Sequence, residues 1–178
     1  MILKIIKKKF FKGMCIISVL YFFSFAESSF AQQKKKNVLE ILEGRHWILN
    51  DGKFINLGEG TDIILIEIAG DKKIINYLRF RALEALALFP TEKTANFLEE
   101  ITENSFSAIA RRGFESFSRG FIKLKPERVK KLALKLLKHP KAKIRISAAR
   151  TIRSLDMSIF KKFLKSEKSS WVREEAKK

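Results

Sequence analysis

The chain has 178 residues, 46% hydrophobic and 31% charged, a balance that fits a globular domain with a real core and excludes a disordered one. Its one cysteine, Cys15, excludes a disulfide framework or a thiolate metal site, and 8 Gly with 3 Pro argue against a turn-rich β fold. The formal net charge is +18, which demands an account of where the basic residues fall.

Residues 1–31 have the layout of a secretory signal peptide. Lys4, Lys7, Lys8, Lys9 and Lys12 form a basic start, and an apolar run follows from Met14 to about Ala26. Ser29 and Ala31 then supply small residues at the −3 and −1 positions of a cleavage site, so cleavage is expected after Ala31. The apolar run is short for a spanning helix, which needs about 20 residues. An uncleaved N-terminal anchor is the alternative. Cys15 precedes the apolar run and is badly placed for lipidation.

The rest of the chain divides its charge sharply. Residues 32–108 hold 10 basic and 12 acidic residues, whereas residues 109–178 hold 22 basic and only 6 acidic ones. Residues 32–36 (QQKKK) are expected as a flexible start, and residues 37–70 as divergent N-terminal helices forming a cap. Val38, Leu39 and Leu42 make a short apolar stripe that ends near Gly44. Asp51 is a candidate cap for a brief helix closed by Gly58. Thr61 is a candidate cap for the isoleucine-rich run to Ala69. That run has the composition of a buried strand, but its helical neighbours favour a helix.

From residue 71 onward an internal repeat emerges, with units at about 71–104, 105–138, 139–168 and a partial 169–178. First helices start from Leu78, Ile109, Ile144 and Val172. Offsets 0, 4, 7, 8 and 11 share one helical face. Large apolar residues stand at offsets 0 and 8. Small ones stand at offset 4 (Ala82, Gly113, Ala148) and offset 7 (Ala85, Ser116, Thr151). That alternation of size lets another helix approach closely. Second helices are expected over Thr91–Ile101, Pro126–Leu137 and Asp156–Leu164. Pro126 suits a first helical turn, and Asp156 suits an N-cap. A helix pair of about 30 to 35 residues is the size of a solenoid repeat.

His139-Pro140-Lys141-Ala142-Lys143-Ile144-Arg145 with Ala148, Trp171-Val172-Arg173 with Ala176, and Tyr77–Leu86 resemble the HEAT-like repeat signature. The second unit departs from it, with Ala110 in place of the arginine. The resemblance covers roughly residues 61–178. It implies an all-α fold, a short right-handed α-solenoid of antiparallel helix pairs. It also implies that Arg79, Arg145 and Arg173 are structural, each bonding a neighbouring turn. Proteins of this kind serve as scaffolds, as adaptors and in some cases as lyases or DNA glycosylases, so the fold does not select a function.

Catalytic signals are sparse. His46 and His139 are far apart and lack carboxylate or cysteine partners at ligand spacing. Gly58-Glu59-Gly60 is a turn rather than a phosphate loop, and Glu99-Glu100 has the pattern of a solvated surface. No cofactor, metal or small-molecule ligand is expected. The basic residues carry the remaining signal. Lys131, Lys135 and Lys138 recur at i, i+4, i+7, and Lys161, Lys165 and Lys168 repeat that spacing on the next second helix. The two stripes together could form one positive patch; the simpler alternative is a pair of solvated helix faces. The expected function is that of an exported, periplasmic or secreted, non-catalytic module binding another protein. An anionic polymer or lipid surface is the alternative partner, and nucleic acid is disfavoured by export.

Overall fold

The computed structural model describes residues 30–45 and 47–178. The segment read as a leader, apart from its last two residues, and His46 lie outside these. Every regular element among the described residues is an α-helix, so the chain is all-α. It divides into two compact units, residues 1–40 and residues 41–178. Residues 30–43 are helical (α1). Residues 32–36, expected as a flexible start, lie inside this helix, where Gln33 donates to Asn37 at 2.9 Å, one turn on.

The second unit carries α2 (Asp51–Ile55), α3 (Thr61–Gly70), α4 (Asn76–Leu86), α5 (Glu92–Asn104) and α6 (Ser107–Phe121). It continues with α7 (Pro126–Leu136), α8 (Ala142–Leu155), α9 (Met157–Ser166) and α10 (Ser170–Lys177). Two caps sit one residue from their expected places. Asn50 caps α2 by accepting from Lys53 N at 3.1 Å. Gly60, at φ 80°, precedes α3, and the Thr61 hydroxyl donates back to Gly58 O at 2.7 Å. A left-handed φ favours glycine because it has no Cβ to clash. The isoleucine-rich run is helical, with Ile64, Leu65, Ile68 and Ala69 buried. Thr91 and Asp156 cap α5 and α9 through their side chains, and Pro126 opens α7.

Packing follows the size pattern. α4 packs on α6, α6 on α8 and α8 on α10, while α5 packs on α6 and α7 on α8. Leu78, Ile109, Ile144 and Val172 are all buried, as are Ala82, Gly113 and Ala148 four residues after the first three. The small positions have a direct steric cause at Gly113. A Cβ there would lie 2.8 Å from Ile101 Cγ2 and 2.9 Å from Thr102 Oγ1, so glycine lets α5 and α6 approach more closely than alanine would. Gly120, at offset 11 from Ile109, is tighter in kind: its Cβ would meet the Ala87 carbonyl oxygen at 2.9 Å. Phe114, Phe117 and Phe121 fill the centre from α6, with the last two stacked at 5.2 Å.

Candidate interaction surface

The arginines of the first helices are spent on the fold. Arg79 Nε donates to Ala69 O at 2.9 Å, at the end of α3. Arg145 Nη1 donates to His139 O and Pro140 O, both at 3.0 Å, in the turn after α7. Arg173 Nη1 donates to Glu167 O at 2.6 Å and Lys168 O at 3.1 Å, in the turn after α9. Arg79 and Arg173 thus satisfy carbonyls at a helix end, which lack intrahelical partners, and Arg145 those of the turn between α7 and α8. Arg145 goes further and grips Glu167 with two parallel bonds, 2.7 and 3.0 Å long. The guanidinium holds the Glu167 carboxyl below its ordinary range. Arg81 serves the same end at α1, donating to Leu42 O and Gly44 O while lying over Trp47 and Tyr77. The second unit, with Ala110, has no arginine for this bond.

Ion pairs also stitch second helices together. Arg128 of α7 donates to both oxygens of Glu99, at 2.8 and 2.6 Å, and to Asn96 and Glu92 of α5. Lys125 joins Glu92, and Lys135 joins Glu103 at 2.7 Å. Start meets start and end meets end, so α5 and α7 run in the same direction. Glu99 is thus not the solvated residue its neighbourhood suggested; only Glu100 is exposed without a partner. Lys130 of α7 reaches forward to Asp156, the cap of α9, at 2.8 Å. That bond is the first cause of the lowered Asp156 carboxyl.

The six lysines of the two stripes are all exposed, yet they do not share one environment. Lys135 is neutralised by Glu103 and faces α5, where Glu99, Glu103, Arg128, Lys131, Leu132 and Lys135 line an open groove of about 370 Å³. Among the described residues, no carboxylate lies within ion-pair distance of Lys131, Lys138, Lys161, Lys165 or Lys168. Lys162, which the i, i+4, i+7 spacing passes over, is exposed and unpaired as well. The surface therefore sorts its cations by type. From α4 onward every arginine except Arg112 donates to an acceptor within the chain, Arg112 lying 3.7 Å from Glu115, and the exposed cations without a counter-charge are lysines. Arginine's planar fork suits fixed bidentate bonds, whereas the lysine ammonium remains hydrated at the end of a flexible stem.

His139 is a turn residue, its Nδ1 accepting from Lys141 N at 3.0 Å. Among the described residues, no group of three or more His, Cys, Asp and Glu could hold a metal ion, and no helix is long and apolar enough to cross a membrane. What the surface offers chemically is attraction for anions. Comparison with protein families and with characterised proteins finds no match to this chain.

Proposed function

We propose that this chain is an exported, non-catalytic interaction module, a short right-handed α-solenoid of HEAT-like helix pairs that binds a partner protein. Support for the solenoid comes from the order of packing, in which first helices contact one another in succession. The arginines at 79, 145 and 173, each tied to the preceding helix end, fit the same architecture. One observation carries the binding function: arginines are consumed internally while Lys131, Lys138, Lys161, Lys162, Lys165 and Lys168 stand exposed without counter-charges. Unneutralised like charges on one domain oppose compaction and attract anionic partners. Glu92, Asp156 and Glu167 are held in ion pairs that lower their pKa, which suits them to structure rather than to proton transfer.

A second reading, adsorption to an anionic polymer or lipid surface, rests on Lys131 of α7 and Lys138 in the turn after it, both unpaired. Export makes nucleic acid the least favoured anion. Fractionation with N-terminal sequencing of the native protein tests the first half of the proposal. A mature start at Gln32 supports export, and a cytoplasmic chain with its leader intact overturns it. Mild crosslinking followed by capture from the cell envelope tests the second half. A specific protein partner is expected, and background alone counts against the module.

A further inference from the structure

The second helices repeat with a spacing of 31 residues, and the repeat aligns their buried faces. Leu98, Val129 and Phe160 are equivalent and buried, and so are Ile101, Leu132 and Phe163. Thr102, Ala133 and the half-buried Leu164 complete the face. In this register Glu99 of α5, Lys130 of α7 and Lys161 of α9 occupy one equivalent position, one residue after the buried Leu98, Val129 and Phe160. The first two both reach forward: Glu99 bonds Arg128 on α7, and Lys130 bonds Asp156 at the start of α9. Glu103, which bonds Lys135 on α7, is likewise equivalent to Leu134 and to Lys165. The position that Lys161 holds is therefore the one each preceding second helix uses to engage its successor. On α9 the edge is basic, with Lys165 continuing it at i+4 and Lys168 standing in the turn just beyond the helix end, and all three are exposed and unpaired.

We infer that the edge of α9 formed by Lys161 and Lys165, with Lys168 in the turn just beyond it, docks an acidic amphipathic helix of a partner protein. The inference rests on the proposed binding module and names its site and the chemistry of its partner. The α5–α7 seam supplies the geometry. There the receiving helix offers cations at Lys125, Arg128 and Lys135 to carboxylates at Glu92, Glu99 and Glu103. At α9 the polarity is reversed: Lys161 and Lys165 stand where Glu99 and Glu103 stand on α5, so the partner helix carries carboxylates at the places of Arg128 and Lys135, a spacing of i and i+7. Charge complementarity selects the partner and sets its register, as charged edges do between paired helices.

The test uses a helix-stapled synthetic peptide with the sequence of residues 125–138, with Arg128 and Lys135 changed to glutamate and the other lysines to glutamine. Binding to the purified chain is followed by fluorescence anisotropy. The triple variant Lys161→Glu, Lys165→Glu, Lys168→Glu should weaken it by roughly tenfold or more. Lys123→Glu, Lys141→Glu, Lys143→Glu, an equal charge change at other unpaired lysines, should leave it within about twofold. Unchanged thermal melting of both variants shows that neither has misfolded. Equal loss in both variants, no peptide binding, or equal competition by unstructured polyglutamate or by anionic vesicles overturns the inference. Envelope capture separates the two levels. A partner held equally by wild type and by the α9 variant refutes the edge and leaves the module standing. Capture of nothing by wild type refutes the module, and the peptide titration still judges the edge.

Discussion

The seam between α5 and α7 and the edge of α9 are built on the same repeat and differ in one respect. At the seam, opposite charges meet: Glu92, Glu99 and Glu103 face Lys125, Arg128 and Lys135. At the edge, Lys161 and Lys165 hold the places of Glu99 and Glu103 with no carboxylate opposite among the described residues, and the place of Glu92 falls on Ser154. The contrast separates what a charge does for folding from what it leaves for binding. A paired side chain is restricted and partly desolvated, so changing it is felt by the whole fold. An unpaired lysine on a solvated edge contributes little to stability, and its removal registers only where an anion was bound.

The largest expected effect lies with the best-buried pair. Arg145→Ala leaves Glu167, whose side chain is only 7% exposed, without its guanidinium and strips two turn carbonyls of a donor. Chemical denaturation should show a loss of about 3 kcal/mol. Acid should mimic part of this change. The folded carboxyl of Glu167 lies below its ordinary value of 4.5, so its stabilisation is complete above that value. It fades as pH falls through the lower folded value, because the unfolded chain then binds the proton first. The acid slope should shrink in the Arg145→Ala chain, and an unchanged slope would show that other carboxylates set it.

Next comes Glu99→Lys, which places a like charge against Arg128 and turns the seam into a copy of the α9 edge. Arg128 and Glu99 are each 27% exposed, so the cost should be only about 1 kcal/mol and should diminish in high salt. Smallest of all is Lys161→Glu with Lys165→Glu, expected to shift thermal stability by no more than about 0.5 kcal/mol in either direction. A large destabilisation there would mean that the edge is part of the fold after all, and would erase the difference from the seam.

Much of the helical layout was legible locally. Thr91, Pro126 and Asp156 mark helix starts because a cap or a missing N–H acts within one turn of chain. The offsets from Leu78, Ile109 and Ile144 identified buried faces because side chains three and four apart share a helix face. The caps at Asn50 and Gly60 were displaced by one residue, since adjacent polar residues compete for the same orphan amides and their backbone angles decide which one wins. Gly120 went unread. Glycine inside a helix costs about 1 kcal/mol relative to alanine, which was a signal, but its reason is the Ala87 carbonyl on another segment. The two lysine stripes looked alike by spacing, and only Lys135 proved to be neutralised.

Composition and periodicity by themselves determined that the chain is helical and that its positive charge gathers after residue 108. Those properties depend on contacts within a few residues, or on no contact at all. Tertiary structure alone decided which cations are spent. Arg128 and Glu99 are 29 positions apart, and Arg145 and Glu167 are 22 apart. No local pattern distinguishes such a pair from two solvated charges. The distinction arises when the repeat lays α7 beside α5, because a Coulombic bond needs a few ångströms of proximity that only the packed helices provide.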